Sequence, residues 1–134
     1  MKRTINADGL ILGRLATRVA KLALSGDIIN IINCEKAVIS GNRKDIRARI
    51  DHLRDMGTPF KGPFYPSKAE RIVKRAIRGM LPYKQERGRM ALKRVKCYDN
   101  QPVELKTADV ETFPDASMEK IKSTKTFQIK RFSK

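Results

Sequence analysis

The fold class this sequence predicts is an α/β sandwich built on a mainly parallel sheet, and two patterns predict it. Apolar residues at helical spacing alternate with short β-branched runs, in the order strand, helix, strand, strand, helix, helix, helix, strand. The run Ile28-Ile29-Asn30-Ile31-Ile32 is apolar at almost every position. That marks a strand covered on both faces, as parallel sheets require. Right-handed crossovers between such strands place helices on both faces. The 134 residues fit one domain of ordinary size. Residues 1–134 are therefore expected to form a single domain, with a less regular C-terminal extension over residues 103–134.

The elements follow in order. Residues 4–8 read as a short strand closed by Gly9. From Leu12 a helix follows: at about 100° per residue Leu12, Leu15, Ala16, Val19, Ala20, Leu22 and Ala23 share one side, and Arg14, Thr17, Arg18 and Lys21 the other. Gly26 suits its end. Residues 27–33 form the buried strand, residues 38–40 a further short strand, and Gly41-Asn42 a turn. Over residues 43–55, Ile46, Ile50 and Leu53 make the apolar stripe of a helix, with Arg43, Arg47 and Arg54 along one edge. Residues 56–66 hold two glycines, three prolines, two phenylalanines and a tyrosine, a loop apolar enough that it should pack on something.

Ser67 and Glu70 have the spacing of a capping box and open the clearest helix. Ala69, Ile72, Val73, Ala76, Ile77 and Met80 occupy one arc of it. Lys68, Arg71, Lys74, Arg75 and Arg78 occupy the other, with no acidic residue among them. Gly79-Met80-Leu81-Pro82 ends it; residues 87–94 read as a short, very basic helix, 95–98 as a strand and 99–102 as a turn. Residues 118–122 read as helical, and the alternation over 127–132 as an edge strand or an extended arm.

Thirty Lys and Arg oppose fourteen Asp and Glu, a net charge of +16. Residues 43–96 carry +12 of it, against +3 in residues 1–42 and +1 in residues 97–134. Self-repulsion at this level destabilises a compact state, and a polyanion both relieves it and releases counterions. Nucleic acid is the best match, an anionic membrane surface the second and an acidic protein the third. An ordinary surface helix mixes signs to gain i,i+4 pairs. The helix after Ser67 forgoes them, which points to an anion over that face rather than solvent.

Other chemistries find little purchase. Gly9-Leu10-Ile11-Leu12-Gly13-Arg14 follows a strand and opens a helix, but lacks the G-x-G-x-x-G spacing of a dinucleotide site. An RNA phosphate at that helix N-terminus fits better. His52 is the single histidine, without a cysteine or second histidine near it in sequence. Asp51 and Asp55 sit among Arg47 and Arg54 and read as charge partners. Cys34 and Cys97 lie in apolar stretches without metal-ligand spacing and read as reduced thiols, which suits a reducing cytosol. No run approaches the roughly 20 apolar residues of a membrane span, and no apolar signal core follows Met1-Lys2-Arg3-Thr4, so the protein is expected to stay where it is made. Phe60, Phe64, Tyr65 and Tyr83 stand among Lys61, Lys68 and Lys84, placed either for base stacking or for loop packing. With no sequence-reading RNA module visible, recognition by shape and backbone is expected.

Several segments occur in a telling order: Gly13-Arg14-Leu15-Ala16-Thr17, then Asn33-Cys34-Glu35-Lys36-Ala37-Val38-Ile39-Ser40-Gly41-Asn42, then Ile77-Arg78-Gly79-Met80-Leu81-Pro82, then Gly88-Arg89-Met90-Ala91-Leu92 and Val95-Lys96-Cys97-Tyr98. Over roughly residues 4–102 the chain resembles the archaeal type of the large-subunit ribosomal protein L thirteen family. The resemblance implies a three-layer α/β/α sandwich with a four-stranded parallel sheet. It also implies a cytoplasmic, non-catalytic component of the large subunit that binds large-subunit rRNA early in assembly beside neighbouring ribosomal proteins. No cofactor, metal, membrane or small-molecule substrate goes with it. Arg14 and the segment from Arg78 to Arg89 fall inside the family motifs. The helical wheel and the charge bias add the rest of the expected RNA-binding set: Arg43, Arg47, Arg54, Lys61, Lys68, Arg71, Lys74, Arg75, Lys84, Arg87, Lys93 and Arg94. Gly79 and Pro82 shape either a tight turn that brings backbone near RNA or a plain helix stop.

Overall fold

The computed structural model describes residues 1–106, 108–122 and 125–133. In chain order its elements are β1 (Lys2–Asn6), α1 (Leu12–Leu24), β2 (Ile28–Ile32), β3 (Val38–Ser40), α2 (Arg43–Asp55), α3 (Ala69–Met80), α4 (Glu86–Lys93), β4 (Val95–Cys97), β5 (Val110–Glu111) and β6 (Thr126–Gln128). The strands β4, β2, β1 and β5 form a four-stranded sheet in that spatial order, each pairing parallel. This is the α/β sandwich the sequence predicts.

Strand alternation sends Ile5, Ile29, Ile31 and Val95 to one face of the sheet. There they share a buried cluster with Leu15 and Val19 of α1, Ile72, Val73 and Ile77 of α3, and Ala91 of α4. Burial of each such large side chain is worth about 1.5–3 kcal/mol, so this one layer holds most of the apolar stabilisation. Thr4, Asn30 and Ile32 point to the opposite face and are buried as well. β4 and β5 stand at opposite edges, so the connection between them has to cross the sheet, and the right-handed rule assigns that crossing to the second face. Among the described residues of that connection, Leu105, in the 3-10 turn Val103–Leu105, is the buried one.

Four expectations change. Residues 38–40 do form a strand, but β3 leaves the main sheet and pairs antiparallel with β6. The cause lies just before it. Asn33 adopts the left-handed conformation at φ 57°, its side-chain amide donates to Asn6 Oδ1 at 3.0 Å, and the 3-10 turn Cys34–Lys36 follows. The main sheet instead recruits β5, whose two residues are too few to show an alternation. The capping box also fails to form. Lys68 holds the N-cap of α3 without a side-chain bond, and Asp99 Oδ1, just beyond β4, accepts from the Glu70 N–H at 2.7 Å. Within 118–122 the helical stretch is one 3-10 turn, Met118–Lys120. Residues 127–132 divide between β6 and the 3-10 turn Ile129–Arg131, which buries Ile129.

Between α3 and α4 the chain makes a tight turn. Leu81, extended and buried, stops α3, and the Gln85 N–H donates to the Pro82 carbonyl at 3.0 Å. A Cβ on Gly88 of α4 would lie 2.1 Å from that same Pro82 oxygen, whereas one on Gly79 would meet nothing within 4 Å. Of the two glycines, Gly88 is the one the turn requires.

Candidate nucleic-acid interface

The amphipathic split of α3 makes the surface. Ala69, Ile72, Val73 and Ile77 are buried, which turns Arg71, Lys74, Arg75 and Arg78 away from the core. Those four side chains line one groove together with Phe64 and Pro66 from the preceding loop and Leu92 from α4, around about 300 Å³ of space. The loop's aromatics divide their roles. Tyr65 packs against the core cluster, while Phe64 is 69% and Phe60 94% exposed. Arg78 lies with its guanidinium 4.7 Å from the centre of the Tyr83 ring, a cation–π contact that holds it beside the turn.

A second hollow, of about 310 Å³, continues the cationic surface past Glu70, Arg71 and Lys74 to Lys96, Cys97 and Tyr98. The sequence pattern does not single out Lys96, which the structure adds to this surface. It alternates outward on the edge strand β4, a position readable only once β4 is known to be an edge. Residues 61–96 carry twelve basic and two acidic side chains. Among the described residues, none of these basic groups takes part in an ion pair. The pairs that do form lie elsewhere, such as Arg18–Asp115 at 3.0 Å and Lys130–Glu35 at 3.4 Å.

The structure distributes the expected residues as follows. Arg71, Lys74, Arg75 and Arg78 meet in the groove. Lys68 is exposed at the start of α3, Lys61 in the loop, Lys84 in the turn, and Arg87, Arg89 and Lys93 on α4. Arg94 is half-buried and donates to the Ala23 carbonyl at 3.3 Å, closing the end of α1. Arg43, Arg47 and Arg54 stand on α2, which contributes nothing to the groove. Arg47 pairs with Asp51 at 3.8 Å. Arg54 is largely buried, pairs with Asp51 at 3.9 Å and donates to the Phe132 carbonyl. Arg14 donates to the Asp115 carbonyl at 3.3 Å in a separate hollow with Thr17 and Arg18. The turn ahead of α1, one expected phosphate position, is crossed by the chain itself: the Ile11 N–H donates to Ala116 and the Met118 N–H to Gly9.

Little else resembles chemistry. His52 is exposed on α2. Both cysteines are free, and a hydrogen bond with Cys97 together with burial pushes the Cys34 thiol up, far from a reactive thiolate. Among the described residues no three His, Cys, Asp or Glu side chains come together as a metal set, and no helix is long and apolar enough to cross a membrane.

The family model of ribosomal protein L13 matches residues 1–104. The chain belongs to the ribosomal protein L13 family. Its relatives include the protein named large ribosomal subunit protein uL13 from Methanosarcina barkeri, 49% identical over 126 residues, which are 93% of this chain and 90% of that protein. The uL13 of Methanococcoides burtonii is 45% identical over 125 residues, again 93% of this chain and 90% of the relative. That of Archaeoglobus fulgidus is 43% identical over 120 residues, 90% of this chain and 77% of the relative. The L13 family match stops before β5 and β6, so the strands that close both sheets lie beyond it.

Proposed function

We propose that this L13-family chain is a structural, non-catalytic component of the cytoplasmic large ribosomal subunit. In this role it binds large-subunit rRNA through the face of α3 and α4 and supports early subunit assembly beside neighbouring ribosomal proteins. One observation carries the reading. In the most cationic stretch of the chain no basic side chain forms an ion pair among the described residues, while basic residues outside it do. An uncompensated surface of this kind gains most from a phosphate backbone, which neutralises it and releases counterions. Arg71, Lys74, Arg75, Arg78, Lys68, Lys84, Arg87, Arg89, Lys93 and Lys96 are the working set. Lys61 extends it along the loop, Arg14, Arg43 and Arg47 are exposed elsewhere on the surface, and Arg54 and Arg94 mainly hold the fold.

The test is RNA binding by the full chain across a salt series, with large-subunit rRNA as the probe. The logarithm of affinity should fall steeply and linearly with the logarithm of salt concentration. Reversal of Arg71, Arg75 and Arg78 to Glu should weaken binding at least ~10-fold and flatten that slope, since each lost phosphate contact removes about 0.7–0.9 from it. Affinity indifferent to salt, or a triple variant that binds as well as the parent, would sink the proposal. Loss of helical circular dichroism in the variant would show instead that the face is structural.

A further inference from the structure

Phosphates alone do not call for the apolar half of the α3 groove. A duplex backbone is met well enough by cations on a flat surface, yet here Phe64, Pro66 and Leu92 line the same 300 Å³ as Arg71, Lys74, Arg75 and Arg78. That is near the lower end of the roughly 300–1,000 Å³ typical of small-molecule sites. Phe64 stands 69% exposed, which leaves a large ring in water. Its place is nonetheless set, because the adjoining Tyr65 is packed against the core. Arg78 is steadied over Tyr83, and no carboxylate lines the groove. A ring face bordered by unpaired guanidinium groups is complementary to one kind of ligand, a flat aromatic group joined to an anion.

We infer that this groove seats one unpaired nucleotide of an RNA strand, with its base stacked on Phe64 and its flanking phosphates held by Arg71, Arg75 and Arg78. The inference rests on the RNA-binding role proposed above and adds a preference to it. A base inside a helix has both faces occupied by its neighbours, whereas an unstacked base in a loop or bulge offers a face to an aromatic side chain. The groove therefore selects unpaired over paired RNA.

The chain contains no tryptophan, so Phe64→Trp installs a single fluorescent reporter in the groove. The full-length variant is titrated with oligoadenylate of about 10 nucleotides, within the span of known single-strand sites, and with a fully paired RNA of equal length. Anisotropy of labelled RNA reports binding separately. Tryptophan emission should be quenched in step with oligoadenylate binding and not with duplex binding. Phe64→Ala should lower affinity for oligoadenylate about 5- to 150-fold, the equivalent of one lost stacked base, and leave duplex affinity and circular dichroism unchanged. RNA binding without quenching, or a Phe64→Ala variant that affects both RNAs alike, overturns the nucleotide seat and leaves the general RNA role standing. Failure of the parent chain to bind either RNA at low salt overturns both.

Discussion

Replacing Gly88 by alanine sets two effects against each other, and the geometry decides between them. Alanine is the better helix former by about 1 kcal/mol. Its Cβ, however, would lie 2.1 Å from the Pro82 carbonyl oxygen, 2.3 Å from the carbonyl carbon and 2.9 Å from the Tyr83 nitrogen. Ordinary contact begins near 3.4 Å, so the turn and α4 must separate by about 1.3 Å. The obstacle is backbone rather than a flexible side-chain end, so the whole turn moves. With it move buried Leu81 and the ring of Tyr83 that steadies Arg78. Overpacking of this kind costs about 1–3 kcal/mol and sometimes more. The backbone contact places Gly88→Ala at the top of that range, for a net loss of about 2 kcal/mol. In a chain of this length that lowers Tm by about 5–10 °C. Gly79→Ala is the matched control. It makes the same chemical change in α3 with open space around it, and should be neutral or stabilising by up to about 1 kcal/mol. Thermal melts followed by circular dichroism, without RNA, measure both. A Gly88→Ala protein that melts at or above the parent temperature would refute the reasoning.

The remaining predictions concern contacts made across the fold. Asp99→Ala should destabilise by about 1 kcal/mol through loss of the α3 cap, while Ser67→Ala should change little in denaturant unfolding; the reverse ranking would restore the capping box. Arg54→Ala should cost about 1–3 kcal/mol, because the Phe132 carbonyl loses its side-chain donor. Hydrogen exchange over residues 126–133 should quicken, with a smaller change in RNA affinity than Arg71→Ala produces; an unchanged exchange pattern would count against it. Asp27 lies between the N-terminal ammonium at 3.2 Å and Arg3 at 2.9 Å, partners that hold its carboxyl below the usual carboxylate range. Its contribution is therefore present above about pH 4 and lost as pH falls through the depressed folded value. Asp27→Asn should be less stable than the parent at pH 7 and lose less on acidification to pH 3; parallel pH profiles would disprove the linkage.

What the sequence disclosed, and what it hid, follows from how local each determinant is. The helical faces of α1 and α3 repeat within a few residues, and Leu15, Val19, Ile72 and Ile77 are buried as their spacing implies. The run in β2 announced its burial. By contrast, the partner of β3 lies 90 residues away in the pairing of Val38 with Gln128, and no local pattern carries that information. The cap of α3 is hidden from local sequence, because Ser67 has the right spacing while Asp99, 29 residues beyond Glu70, has the right position. The cationic arc of α3 was legible, since one wheel contains it. The groove beside it was not, because it needs Phe64 and Leu92 brought to the same helix from either side.

The pairing of Thr4 with Val110 also has a consequence in time. A chain is made from its first residue onward at about 5–20 residues per second, so β1 is complete about 5–20 s before β5 can join it. During that interval the newborn protein carries a bare strand edge, the kind of surface on which chains aggregate. Lys2 and Arg3 stand on β1 itself, and charge on an open strand discourages unwanted neighbours. Arg3 then gives up that guard duty when Glu111 arrives and binds it at 3.1 Å. α4 ends 17 residues ahead of Val110, about 1–3 s at the same rate, so the cationic helices are made before the strand that covers this edge.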